Sequence, residues 1–308
     1  MPSLPSRIRL PNLGQLSLGW RLLIVLAAVV VIWLPIAVVT VLPVAAVDGF
    51  DGNGTAIAAG VSLYAILLLV IWGWGRLVRQ YPEPLRAYGW HWARKNWLGT
   101  TGRNLGLGIA IAIISMGIFY AIEALLGWVA IVFPTEPTPW HWFWLNGLLL
   151  GAGVAFLEEL VFRGWLWTEL RWSLGFKPTL WISSVIFAVL HFLKPLDVIL
   201  ASWPQFPGLI LLGWVLGQGR HLGHHSKGTL TVPIAMHGAW VCAITVSQSA
   251  GLVIATGSVP QWLTGVGGNP LAGVFGFGLL AGVGGIVVAL SSRTNYREKN
   301  TYSSDGVS

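Results

Sequence analysis

Charge is what this chain has least of. Only 9% of its 308 residues are charged and 55% are hydrophobic, and the mean hydropathy is +0.71, which excludes an ordinary soluble surface. There is one cysteine, Cys242, so neither an intramolecular disulfide framework nor a cysteine metal cluster is available. No glycine-rich loop sits between a strand and a helix in the way a phosphate site requires. Internal repeats and long polar linkers are also missing, which leaves one membrane-embedded bundle at 19–293, with short polar segments at 1–18 and 294–308.

What the chain has instead is apolar runs, at about 22–47, 55–75, 105–133, 142–171, 179–195, 206–219, 229–248 and 271–291. Each approaches the length of roughly 20 residues that a helix needs to cross a bilayer. The expectation is therefore all-α: a polytopic membrane bundle of about eight transmembrane helices. The first run is longer than the ~7 to 15 apolar residues of a signal peptide and reads as a retained span. The net charge of +7 would suggest nucleic acid in a soluble protein, but here the basic residues fall in alternate short loops and report topology. Arg76, Arg79, Arg86, Arg94 and Lys95 share one loop, Arg171 and Lys177 another, and Arg220 and Lys227 a third. Asp48, Asp51 and Glu136 occupy the opposite set. The positive-inside rule then places both termini in the cytosol, with Lys194 alone on the far side. The lipid bilayer is therefore the expected partner of the spans, and nucleic acid is not a partner.

Tryptophans at 90, 92, 97, 140, 142, 144, 165, 167 and 172 suggest interfacial belts. Gly213 with Gly217, and Gly278 with Gly282, are spaced for close helix packing. The stretch HLGHHSKG sets His221 and His225 four apart beside His224. Its flanking glycines argue for a solvated basic turn rather than a metal-binding helix.

An ionised group at membrane depth costs roughly 2.5 to 3.5 kcal/mol on insertion scales, so such groups face the bundle interior and mark function. Glu158, Glu159, His191 and His237 are in this position; Glu123, near the end of its span, could snorkel or face water. At 1.5 Å per residue, Glu159 lies about 18 Å from Arg171, His191 about 18 Å from Thr179 and His237 about 12 Å from Thr229. Three separate helices thus carry polar groups into one layer. Glu159 and Arg163, four apart, share a face and can pair, while Glu158 points about 100° away. One reading is a structural ion-pair network that holds the helices in register. The other is a site in which Glu158, desolvated beside a like charge, serves as general base, and the histidines hold water and donate to an oxyanion.

EELVFRG at 158–164, FAVLH at 187–191 and HGAWV at 237–241 resemble the EExxxR, FxxxH and HxxxN motifs of the CAAX-protease and bacteriocin-protection (CPBP, or Abi) family of intramembrane proteases. The resemblance covers a protease-like core at about 142–248. It implies a bundle of about eight helices whose cavity opens to the cytosol, and hydrolysis of a peptide bond in a peptide or membrane-protein substrate. By the same resemblance Glu158 activates water with His237, Glu159 pairs with Arg163, His191 helps stabilise the oxyanion, and Phe187 packs beside His191. A cofactor-free reaction is favoured. If a divalent metal such as zinc takes part, Glu158, His191 and His237 are the ligands to expect, although no HExxH arrangement is present.

One position departs from the pattern: Val241 stands where the third motif carries asparagine. Loss of one oxyanion donor costs about 2.7 to 4 kcal/mol of barrier. Trp240, with its indole N–H, is a candidate substitute, although it points about 100° around the helix, while Asn146 lies too far along its helix. Three functions therefore stay open. The first is an intramembrane endopeptidase; the second is a catalytically silent scaffold or regulator with the same fold; the third is a transporter with a midplane carboxylate.

Overall fold

The computed structural model describes residues 10, 12–91, 97–133, 139–222 and 228–304. Trp92, Arg94, Lys95, Glu136, His224, His225 and Lys227 lie outside them. Two compact units divide at Tyr88.

The first unit holds α1 (Leu18–Thr40), α2 (Leu42–Asp48), α3 (Asn53–Gly73) and the short α4 (Pro84–Ala87). The first expected apolar run is thus two helices, broken at Val41 with a proline just inside α2. α1 packs along α3, and the indole of Trp33 donates to Ser62 Oγ at 3.0 Å. Asp48 caps α3, accepting from the Gly54 amide at 2.6 Å and the Thr55 amide at 3.2 Å, which satisfies donors that a helix start leaves open.

The second unit opens with α5 (Gly102–Leu125), β1 (Val129–Ile131) and α6 (Trp140–Glu159), which continues through π-wound turns at Leu160–Leu166 into α7 (Trp167–Leu174). Then follow α8 (Phe176–His191), α9 (Leu196–Ser202), α10 (Gln205–Gly219), α11 (Thr231–Ser249), β2 (Val253–Ala255), α12 (Gln261–Thr264) and α13 (Val274–Ser304). The run expected at 105–133 is not helical throughout. After Leu125, Val129, Ala130 and Ile131 pair antiparallel with Ala255, Ile254 and Val253. β-branched residues beyond a glycine turn favour this ending, and Gly127 adopts φ +70°.

Among the described residues, five helices are long and apolar enough to cross a membrane: α1, α3, α5, the continuous 140–174 helix and α13. The pair α9 and α10, bent by 75°, makes a sixth if counted as one span, while α8 is apolar but shorter. Large apolar side chains such as Val31, Val39, Ile114 and Leu149 are exposed on these helices, as lipid-facing surfaces are. The tryptophan belts divide. Trp140, Trp142, Trp144 and Trp172 are exposed, but Trp165 and Trp167 are buried core residues, because one lies in the buried π-wound segment and the other directly follows it.

α11 lies against α5 and α6, and α10 against α8 and α13. Backbones approach where glycine leaves room. A Cβ on Gly108 would stand 2.8 Å from Ala235 Cβ, and one on Gly147 would stand 2.8 Å from Val246. Gly213 fits against Ser184 and Gly217 against Leu180, as their spacing suggested. Gly278 and Gly282 do not: a Cβ there meets nothing within 4 Å, and the close glycine contacts on α13 are Gly276 against the Pro270 carbonyl and Gly284 against Trp214. Spacing by four defines a face without saying which face is packed.

Alanine is the better helix former by about 1 kcal/mol, so Gly117→Ala, where a Cβ meets nothing within 4 Å, should raise the thermal midpoint in detergent. Gly151→Ala should lower it, by an amount equivalent to about 1–3 kcal/mol, because its Cβ would run into the Gly238 carbonyl and the Cys242 amide.

Candidate active site

The site is built around a carboxylate with no exposure at all. Glu159 is 0% exposed, and its Oε1 accepts from Arg163 Nη1 at 2.9 Å and from His237 Nδ1 at 2.9 Å. Because a carboxylate only accepts, the proton on His237 must sit on Nδ1. The other nitrogen, Nε2, is then turned toward Glu158, 3.9 Å from its Oε2. His191 is oriented by a different acceptor: its Nδ1 donates to the Phe187 carbonyl at 2.8 Å, and its Nε2 lies 3.7 Å from Glu158 Oε1. The two imidazoles thus approach different oxygens of Glu158. Both separations are too long for direct hydrogen bonds and suit a bridging water or substrate atom.

The helix that carries both glutamates is locally unwound. Through Leu160–Leu166 it is π-wound and every residue is buried; the Trp167 amide reaches back to the Phe162 carbonyl. The Arg163 carbonyl accepts from Arg220 Nη1, a partner 57 residues away that the motifs do not include. π-wound turns inside α-helices are frequent at functional sites. Arg163 also donates through Nη2 to the Gly213 carbonyl at 3.1 Å, so α6, α10 and α11 meet at one ion pair. Arg163, at 1% exposure, and Arg220, at 5%, are both buried cations that feel the charge of buried Glu159, and Arg163 that of Glu158 as well, which is what makes burial of either sign tolerable.

Phe187 is the floor. The Arg163 guanidinium lies 4.4 Å from its ring centroid, the His191 ring 4.3 Å away and Phe162 packs edge-on at 5.0 Å. The aromatic face therefore stabilises a desolvated cation while holding the histidine plane.

Glu158, Phe187, His191, His237, Trp240 and Val241 line one cavity of about 210 Å³. Glu159 and Arg163 do not line it; Glu159 touches it through His237, and Arg163 through the ring of Phe187. Val241 faces the cavity with no polar atom to offer. Trp240 lines it too, but its indole N–H donates to Ser115 Oγ at 3.0 Å, and that hydroxyl donates onward to the Ala112 carbonyl at 3.0 Å. The substitute donor expected at Trp240 is thus committed elsewhere. Asn146 is exposed and outside the cavity lining. Among the described residues no group of three or more His, Cys, Asp or Glu is disposed to hold a metal ion.

Two other expectations change. Glu123 does not snorkel: it is 2% exposed, and its Oε1 has no hydrogen-bond partner. His221 is not in a solvated turn. It packs against Phe176 at 5.2 Å and Trp167 at 6.1 Å, with Nε2 buried and without a hydrogen bond. Burial, then Arg220, then Arg171 push its pKa down to about 4.

Removing the guanidinium with Arg163→Met should cost about 3–5 kcal/mol in an unfolding experiment, since it strands Glu159 without its cation. The His221 shift has a pH signature of its own. Unfolded chain protonates near pH 6.5 and folded chain near 4, so this group's contribution is complete above about pH 6.5 and is lost as pH falls toward 4. His221→Phe should flatten the dependence of the thermal midpoint on pH across that window.

Residues 140–243 match the family model described as type II CAAX prenyl endopeptidase, Rce1-like. No curated protein and no solved structure matches the chain. The matched stretch contains Glu158, Glu159, Arg163, His191 and His237, whose motifs carried the resemblance. Residues 140–243 are thus an Rce1-like domain of the CAAX-protease family, carried by an integral, multi-pass membrane protein.

Proposed function

We propose that the protein is an intramembrane endopeptidase that hydrolyses a peptide bond with a water activated by Glu158 and His237. One observation carries this reading: Glu159 Oε1 is shared between Arg163 and His237 Nδ1, which presents His237 Nε2 to Glu158 and the cavity. The arrangement follows the logic of a catalytic histidine oriented by a buried carboxylate.

In the reaction, water lies against Glu158 and His237 Nε2. Glu158 takes one water proton as the oxygen bonds to the carbonyl carbon, and the carbonyl electron pair moves onto oxygen. His191, held through Nδ1, faces the developing charge with Nε2 and donates to it in its protonated form. When the oxyanion collapses, the C–N bond breaks and the proton held by Glu158 passes to the leaving nitrogen. Glu159 and Arg163 hold His237 in place and touch no reacting atom. The chemistry is written without metal: the two imidazoles approach opposite oxygens of Glu158 instead of converging with it on one point. The bundle of about eight spans has both termini in the cytosol and its cavity open to that side, the orientation favoured by the basic loops.

A silent scaffold or regulator is the second reading. It is favoured by Val241, which lines the cavity without a donor, and by the engagement of Trp240 with Ser115.

Glu158→Gln separates the two. With the purified protein in lipid vesicles, offered a farnesylated CAAX peptide and a library of membrane-segment peptides, the wild type should cleave and the variant should not, with the thermal midpoint retained. Cleavage should survive titration with a divalent-metal chelator. A wild type that cleaves nothing, yet copurifies a partner that Glu158→Gln also binds, would establish the scaffold.

A further inference from the structure

The HxxxN pattern would put a carboxamide in the cavity one turn beyond His237, about 6 Å along α11, and Val241 removes it. The polar side chains that do line the cavity are Ser115, Glu158, His191, Gln205, His237 and Trp240. Ser115 and Trp240 are bonded to Ala112 and to one another. Glu158, His191 and His237 are the water-activating and orienting groups. Gln205 alone brings a carboxamide, and that group makes no hydrogen bond among the described residues.

Its placement follows from the elbow between α9 and α10. The chain turns by 75° there, and Gln205 is the first residue of α10. Leu209 and Leu212, four and seven residues on, line the same cavity, so the three share the face of α10 directed at the site. The level is set by Phe206, whose ring packs edge-on against Phe192 at 5.4 Å. Phe192 is the residue that follows His191, so Gln205 stands beside the end of α8 that carries the histidine.

We infer that Gln205 is a catalytic residue, its side-chain N–H donating to the tetrahedral oxyanion in place of the asparagine that position 241 lacks. The inference rests on the hydrolytic reading. No proton is transferred by Gln205: the amide stays neutral, and its hydrogen bond shortens as charge grows on the oxygen. A donor aimed at the oxyanion in this way acts on kcat more than on substrate binding.

The test uses the full-length protein in phosphatidylcholine and phosphatidylglycerol vesicles, with the farnesylated CAAX peptide and the membrane-peptide library. Gln205→Leu, which keeps the side chain's bulk, should lower kcat by about 10²–10³-fold with KM within about threefold. Adding Val241→Asn to it should return at least about tenfold of that loss, a rescue that a packing role for Gln205 would not produce. If Gln205→Leu fails to fold, Gln205→Glu, which keeps length and polarity but places an anion at the oxyanion, should show the same loss and the same rescue. A kcat within about threefold of wild type in the folded Leu or Glu variant overturns the inference and leaves the hydrolase standing. A wild type as inactive as Glu158→Gln overturns the hydrolase and the inference together.

Discussion

A single carboxylate oxygen, Oε1 of Glu159, accepts from two cationic or potentially cationic groups on different elements, and the rest of the site depends on it. Arg163, on the same helix, and His237, on α11, each reach it at 2.9 Å. Neither contact is exposed, so neither is screened by water, and neither partner can be satisfied elsewhere at comparable free energy. From this one atom follow the tautomer of His237, the direction of its Nε2 and the position of Glu158 opposite. Arg163 extends the same network to the Gly213 carbonyl, which ties α10 to it as well.

The local backbone is bent to serve this contact. In a regular α-helix the 140–174 segment would keep every carbonyl in its own ladder; the π-wound stretch instead passes the Trp167 amide back to Phe162 and lets the Arg163 carbonyl accept from Arg220. The cationic end of Arg220 thereby sits against the backbone of the helix that carries both glutamates and over Trp167, 5.9 Å from its ring centroid. Close packing of α11 against α5 and α6 at Gly108, Gly147 and Gly151 holds His237 at the depth of Glu158, because only bare backbone allows helices to approach so nearly.

Much of this was readable beforehand, and the limits have physical causes. The pairing of Glu159 with Arg163 follows from spacing by four on one helix, and the convergence of the layer from simple depth counts. The second role of Glu159, as the acceptor that orients His237, was not visible, since a carboxylate's outer lone pairs carry no sequence mark. Trp165 and Trp167 look like belt residues by composition but are core. His221 looks solvated by its glycine neighbours but is packed between aromatic rings. Gln205 carries no local mark: it sits outside any motif, at a bend whose angle no local pattern specifies.

By itself the sequence determined that this is a membrane protein, that four polar residues share a layer, and that residues 158–164, 187–191 and 237–241 resemble CAAX-protease motifs, with Val241 the one departure. These depend on hydropathy, helical rise and residue identity, all of which are local. The tertiary structure decided which nitrogen of each histidine faces Glu158, that the indole of Trp240 is engaged by Ser115, and that Gln205 shares the cavity with Val241. Those outcomes depend on hydrogen-bond partners and helix faces brought together across up to 125 residues of chain, and no local rule connects them.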